Sequence, residues 1–406
     1  MQVADFLRLY RLSPELQVLA SRLRGAAKPD PSSVRLHLRG LVGSQDAVVA
    51  AAVAHGQHPH VFIVHDKDEA AYFLSDLQHL LPEGPEALLF PSSYKRPYQF
   101  DETENANVLM RAEVLNRVNT TRAASTGNSV FIVTYPEALT EKVINRQSLV
   151  KNTFNAKVGD KLDVNFLGEL LAEYDFEKTD FVYEAGQYAV RGGIVDVFSY
   201  ANELPFRLEL FGDEIESIRT FNPETQLSVD PRPSISIIPN VQTKMLTETR
   251  EAFFDFLPRT ACIWVKDVRQ TLDVVSELFE KAEANFQQML SESGGMQIVS
   301  KPGDLFESGK NFKKLLDEFA VVEFGKRFHF KNAETFQFTA KPQPSFNKEF
   351  ERMVKNLKEN QQRNFTTIIT ADTVRQADRL RTIFDELDNN VQFQHLLLAL
   401  REGYLD

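Results

Sequence analysis

Val34-Arg35-Leu36-His37-Leu38, Gly40-Leu41-Val42-Gly43 and His60-Val61-Phe62-Ile63-Val64 are the stretches that decide the fold. The first alternates apolar and polar residues as a strand does. The last is a short β-branched run that suits a buried parallel strand. Between them the alanine- and valine-rich segment Asp46 to His55 reads as a short helix. Lys67 to Leu81 follows as a second helix, with Ala71, Leu74, Leu77 and Leu81 on one face and Pro82 as its stop. Strands alternating with helices imply a mostly parallel sheet covered on both sides.

The pattern continues outward. Leu88-Leu89-Phe90 is a strand, Glu102 to Asn119 a helix, and Val130-Phe131-Ile132-Val133-Thr134 another strand. Pro136 then suits the first turn of a helix, where its missing N–H is harmless. Near residue 150 the texture changes to short strands between glycine turns: Phe181-Val182-Tyr183, Tyr188 to Arg191, Ile194 to Phe198 and Phe206 to Phe211. One helix is expected across 163–174. From about 240 helices return, the longest spanning Asp273 to Leu290, with a strand around Trp264 and extended pieces at Phe328-His329-Phe330 and Phe336-Gln337-Phe338. Lys341-Pro342-Gln343-Pro344-Ser345 reads as a linker, because two prolines interrupt a helix or a ladder. Beyond it, Asn347–Asn360 (helix), Thr366–Thr370 (strand) and Thr373–Leu387 (helix) form a further α/β unit. The expected division is 1–150 α/β, 151–238 α+β, 239–340 continuing the first unit, and 341–406 a small α/β domain. No internal repeat or low-complexity tract interrupts it.

The chain has 406 residues, enough for two to four domains, and 43% hydrophobic residues, enough to build cores. Its net charge of −11 disfavours a whole-chain basic footprint for nucleic acid. The lone cysteine, Cys262, excludes an intramolecular disulfide and a cysteine-rich zinc site, and it sits in an apolar run that suits a buried strand. Met1 to Phe6 lacks the basic leader of a secretion signal, and no run of about 18 apolar residues is present, so a cytoplasmic protein without a membrane partner is expected.

Gly40-Leu41-Val42-Gly43-Ser44-Gln45-Asp46-Ala47 lies between a strand and a helix, where a phosphate-binding loop belongs. Two glycines are in place. Asp46 stands where the phosphate lysine would be and Ala47 where the magnesium hydroxyl would be, so the carboxylate repels the group the loop would have to hold. The loop reads as a retained turn whose function is lost, and neither ATP nor Mg is expected in this chain. His55, His58, His60 and His65 near Asp66 and Asp68 lack a helical i, i+4 pair, so no metal is expected. Asp101-Glu102-Thr103-Glu104 fits a helix N-terminus better than a catalytic pair. Lys310, Lys313 and Lys314 fit a solvated face. No serine elbow or base-partnered nucleophile is present, and no catalytic residue is assigned.

Tyr183-Glu184-Ala185-Gly186-Gln187-Tyr188-Ala189-Val190-Arg191-Gly192-Gly193-Ile194-Val195-Asp196-Val197-Phe198, continued by Asn202 to Arg219, resembles the repair-protein-binding module shared by UvrB and the transcription-repair coupling factors (Mfd proteins). Phe90-Pro91-Ser92-Ser93-Tyr94 and Thr134-Tyr135-Pro136-Glu137-Ala138-Leu139 look like the coupling-factor version of the preceding block. The degenerate loop, Gly40, Gly43 and Asp46, falls where UvrB keeps an intact one. The segment Tyr94 to Asn105 is too short and too poor in aromatics for UvrB's DNA-inserting hairpin.

The resemblance implies a degenerate RecA-like α/β domain split by a small UvrA-binding α+β domain and followed by a small α/β domain. It also implies that the chain is a fragment. Full-length relatives continue into a module that meets RNA polymerase, an ATP- and Mg-dependent motor on double-stranded DNA, and an autoinhibitory domain. By motif, the UvrA-docking residues fall on Arg191, Arg207 and Phe211. Lys178 replaces a further interface arginine of UvrB, and Ala189 occupies another such position. Read from the residues alone, Phe211 suits a core, Arg191 a solvated turn, and Arg207 a surface pair with Glu209 or Glu216. A UvrB-like ATPase and a direct DNA-binding module are the rival functions.

Overall fold

The structure, a computed structural model, describes residues 1–25, 33–54, 58–81, 86–94, 105–123, 130–200, 202–238, 249–292, 300–347, 349–388 and 390–406. The acidic run Asp101 to Glu104, residues 95–104 of the Tyr94–Asn105 segment, His55 and Pro82 lie outside the described residues.

Four strands come first: β1 (Arg35–Arg39), β2 (His60–Ile63), β3 (Glu86–Phe90) and β4 (Val130–Thr134). Next come the short β5 (Val143–Ile144) and β6 (Phe154–Lys157), then β7 (Glu177–Lys178), β8 (Gln187–Arg191), β9 (Ile194–Val197), β10 (Phe206–Phe211), β11 (Glu214–Phe221), β12 (Ser228–Pro231) and β13 (Ser234–Ile237). The chain then returns through β14 (Arg250–Glu251), β15 (Cys262–Val265), β16 (Ala320–Gly325) and β17 (Glu334–Gln337). It ends in β18 (Lys341–Pro342), β19 (Ile368–Ala371), β20 (Gln394–Leu397) and β21 (Tyr404–Leu405).

A seven-stranded sheet in the order β17-β1-β16-β15-β2-β4-β3 forms the body, and every pairing in it is parallel. The expectation of a mixed α/β fold with a parallel sheet is met. Its central strands are apolar on both faces because helices cover both, so Val61, Phe62, Ile63, Phe131, Ile132 and Trp264 are all buried. A six-stranded sheet, β12-β11-β10-β9-β8-β7, is built entirely from the segment between β6 and β13. Its inner face packs Tyr188, Val195, Val197, Leu208 and Ile218 around Leu167 and Leu171 of the helix Val164–Glu173.

Four local expectations are corrected. The helix Lys67–Leu80 buries Ala70, Phe73, Leu77 and Leu80, and Ala71 faces solvent. Phe73 sets that face, with its ring 5.2 Å from Phe62 and 6.1 Å from Phe324. Phe181-Val182-Tyr183 is a loop, because the Gln187 side chain accepts from the Tyr183 and Glu184 N–H groups and Gln226 donates to the Val182 carbonyl. Phe328 to Phe330 joins no ladder; the His329 and Phe330 N–H groups donate to the Glu323 carboxylate at 2.6 and 3.0 Å. Lys341-Pro342, read as linker, pairs with Tyr404-Leu405, an edge contact that a proline tolerates. In the C-terminal stretch, Val354, Leu357 and Phe384 form their own cluster, whereas Leu396 and Leu398 join the core of the body.

Candidate protein-docking site

The site residues sit on the outer face of the six-stranded sheet. Gly192 (φ +63°) and Gly193 make the turn from β8 to β9, and a Cβ on Gly193 would lie 2.7 Å from the Leu210 carbonyl oxygen, so only glycine fits. That turn fixes the register Arg191↔Ile194 and Ala189↔Asp196. Antiparallel pairing of β9 with β10 then sets Asp196 opposite Arg207, and β11 sets Arg219 beyond it. Alternation sends Val195, Leu208 and Ile218 inward, while Asp196, Arg207 and Arg219 form one rung of the outer face.

Asp196 is fully buried and receives both predicted arginines. Arg207 donates from Nε to Oδ1 at 2.7 Å and from Nη2 to Oδ2 at 2.8 Å, a bidentate fork. The Arg191 Nη2 also donates to Oδ2, and its Nη1 donates to the Asp180 carbonyl at 2.7 Å. Each guanidinium lies over a ring, Arg207 on Phe221 at 4.4 Å and Arg191 on Phe181 at 4.8 Å. The hydrogen bonds to Asp196 raise the Arg207 pKa against the opposing effect of its burial. Side-chain exposure is 34% for Arg191 and 15% for Arg207, so Arg191 offers more to a partner. Arg207 takes neither partner expected for it; Glu209 is held by Arg219 and by the Ser217 hydroxyl.

Phe211 closes β10 beside the Gly212 turn and is 82% exposed, which overturns the core alternative. Lys178 lies exposed on β7, and Ala189 is buried with Val182, Phe198 and Phe221. Sequence reasoning missed Asp196 and Phe181. Counting register outward from the Gly192-Gly193 turn would have placed Asp196 opposite Arg207; no comparable signal marked Phe181.

The glycine loop after β1 takes a different course. Gly40 (φ +85°) passes so close to β17 that a Cβ would meet the Phe338 carbonyl oxygen at 2.1 Å. The Ser44 N–H donates to the Glu402 carbonyl at 3.2 Å, and the Glu402 N–H donates back to the Ser44 hydroxyl at 3.0 Å. The Asp46 carboxylate accepts from Lys266 at 3.0 Å, and Lys266 also donates to Glu69, which His65 Nδ1 approaches at 2.8 Å. Burial raises the Asp46 pKa, and Lys266 only partly offsets it. A phosphate here would meet a carboxylate and a loop whose Ser44 donor is already taken, so the residues do not fit a nucleotide. His60 accepts from the Trp264 indole at 3.1 Å and is thus engaged within the core. Burial pushes the Cys262 thiol up to about 12.

The model of the UvrB interaction domain matches residues 154–242, the segment that builds the six-stranded sheet. The transcription-repair-coupling factor of Bacillus subtilis is 30% identical over 204 residues, covering 50% of this chain and 17% of that protein. That of Myxococcus xanthus is 30% identical over 224 residues, 53% of this chain and 18% of the relative. That of Borreliella burgdorferi is 24% identical over 306 residues, 64% and 26%. The matches thus span about a quarter or less of these relatives' own length. Among the described residues no helix is long and apolar enough to cross a membrane. Residues 154–242 are a UvrB interaction domain, and the chain that carries it is related to the transcription-repair-coupling factors over about half its length.

Proposed function

We propose that this chain recruits UvrA to stalled transcription, as the docking part of a cytoplasmic transcription-repair coupling factor, and that it does so without catalysing a reaction. The reading is carried by one observation: on the UvrB interaction domain, two arginines share a buried carboxylate on the sheet that also carries an 82% exposed phenylalanine. Two guanidiniums on one carboxylate leave a positive charge that suits carboxylates on a partner, and an exposed aromatic supplies the apolar anchor of an interface. Arg191, Arg207 and Phe211 are the docking residues of this proposal.

The parallel sheet is read as a degenerate RecA-like body, residues 1–150 and 239–340, into which the docking domain at 151–238 is inserted, with 341–406 a small α/β domain. Gly40, Gly43 and Asp46 are the remnant of its nucleotide loop. ATP, Mg, double-stranded DNA and RNA polymerase belong, in this proposal, to further parts of a full-length protein. Titration of labelled chain with UvrA tests it directly. Absence of saturable binding by the properly folded chain would remove the function, and hydrolysis of ATP by the same preparation would favour the rival enzyme reading.

A further inference from the structure

The arginines proposed for docking are tied to each other through a residue that no partner can touch. Asp196 is fully buried, yet its two oxygens collect three N–H donors, two from Arg207 and one from Arg191. Against each guanidinium also lies an aromatic ring, Phe221 at 4.4 Å from Arg207 and Phe181 at 4.8 Å from Arg191. Carboxylate and ring together leave each planar group one orientation. Two guanidiniums share one carboxylate, so the cluster keeps a net positive charge. On the same rung Arg219 is matched by Glu209.

A buried carboxylate is a poor choice if folding is its only task, because an apolar residue of similar volume commonly serves stability as well or better. We infer that Asp196 is the positioning residue for docking. It holds Arg191 and Arg207 as a single two-guanidinium unit, with Arg207 further tied by its Nη1 to the Gln226 carbonyl at 3.2 Å, and the partner meets the net positive charge of that unit with an acidic surface. Preorganised in this way, the arginines lose little side-chain freedom on binding, which is where affinity is otherwise spent. The inference rests on the reading of this face as the UvrA-docking site.

The test measures UvrA affinity of the full chain for Asp196→Asn, Arg191→Ala and Arg207→Ala, alone and combined, with melting temperature recorded in parallel. Asp196→Asn keeps the shape and removes the charge. It is expected to weaken binding about tenfold while the chain stays folded, in line with the cost of disrupting a hydrogen-bonded charge cluster. In the Arg191→Ala/Arg207→Ala background it is expected to change affinity by less than about twofold, since it has nothing left to position. Affinity within about twofold of the parent for Asp196→Asn alone, or the same loss in both backgrounds, overturns the positioning role. If Asp196→Asn does not fold, the Arg191–Arg207 double-mutant cycle decides. Coupling of about fivefold or more supports a joint unit, and strict additivity overturns it. Unchanged affinity in both single arginine variants removes the docking site itself, and Asp196's role with it.

Discussion

Lys266 Nζ stands 3.0 Å from the Asp46 carboxylate, at the carboxyl end of β15 where it adjoins β2. The chain leaves β2 toward β3 and leaves β15 toward β16, on opposite sides of this point. Such a reversal opens the crevice in which open α/β sheets usually hold a ligand. Here the crevice is filled by the protein's own charges, Lys266 between Asp46 and Glu69. Asp46, which follows β1, thus meets a lysine from the end of β15, two strands away across the sheet.

Lys266→Met is expected to destabilise the chain by about 2 kcal/mol at pH 7, below the usual cost of breaking a fully buried pair because the group is partly solvated. The pH dependence has a definite sign. Burial opposes ionisation of Glu69, but hydrogen bonds from His65 and Lys266 outweigh it and hold the carboxyl down to about 2. A lowered folded-state pKa contributes stability that is full above the ordinary value near 4.5 and lost as pH falls toward 2. The difference between parent and Lys266→Met should therefore shrink between pH 5 and about pH 2, as urea unfolding at a series of pH values would show.

Introducing a phosphate-loop lysine and hydroxyl with Asp46→Lys and Ala47→Thr is expected not to create nucleotide binding. The new ammonium would face Lys266, and Glu402 still occupies the Ser44 N–H. Millimolar Mg-ATP should leave the melting temperature of the double variant unmoved. A dose-dependent rise would show that the backbone of this loop accepts a phosphate once those two side chains are present.

Phe211→Ala separates docking from folding. With 82% of the residue exposed, its removal should change stability by no more than about 0.5 kcal/mol. Loss of an aromatic anchor should weaken UvrA binding by about 2 kcal/mol. Calorimetric titration beside a thermal melt checks both numbers, and undiminished affinity would take Phe211 out of the interface.

The body of the fold was legible because parallel strands buried on both faces are apolar over continuous runs, as 61–64 and 130–133 are. Helix faces were less so: alanines at 70 and 71 say little about direction, and the bulk of Phe73 decided it. Phe181 to Tyr183 has strand-like residues, but side-chain amides from Gln187 and Gln226 take the place of a ladder, and periodicity does not record such bonds. At the docking face the motif pointed to Arg191 and Arg207. Asp196 was hidden inside the core-like run Ile194-Val195-Asp196-Val197-Phe198, and its meaning appears only when the strands are laid side by side. Phe211 escaped the core because the Gly212 turn ends the sheet there.

Arg191→Ala and Arg207→Ala should weaken UvrA binding alike, by about 2 kcal/mol each, and differ in what they do to folding. Arg207 supplies two of the three donors to Asp196 and is mostly buried, so its loss leaves the carboxylate short of partners and should cost about 3 kcal/mol of stability. Arg191 supplies one donor and is one-third exposed, so about 1 kcal/mol is expected. Denaturant unfolding ranks the two, and a reversed order would contradict the geometry of the cluster.

The groove where the UvrB interaction domain meets the body carries the last prediction. Glu113, on the helix Asn105–Ala123, faces Glu86 of β3 and Glu203 of the loop before β10, with Arg117 nearby. Burial first, then the two like charges, push its carboxyl up to about 7, against a smaller pull from Arg117. A raised folded-state pKa means that the folded chain holds the proton more tightly than the unfolded one. The associated stability is full below about pH 4.5 and is lost as pH rises through 7. Glu113→Gln, which cannot ionise, should gain up to about 2 kcal/mol over the parent at pH 8 and nothing at pH 4. Parallel unfolding curves for the two chains at both pH values decide it, since a gain that does not vary with pH would place the benefit of the amide in packing and not in the proton.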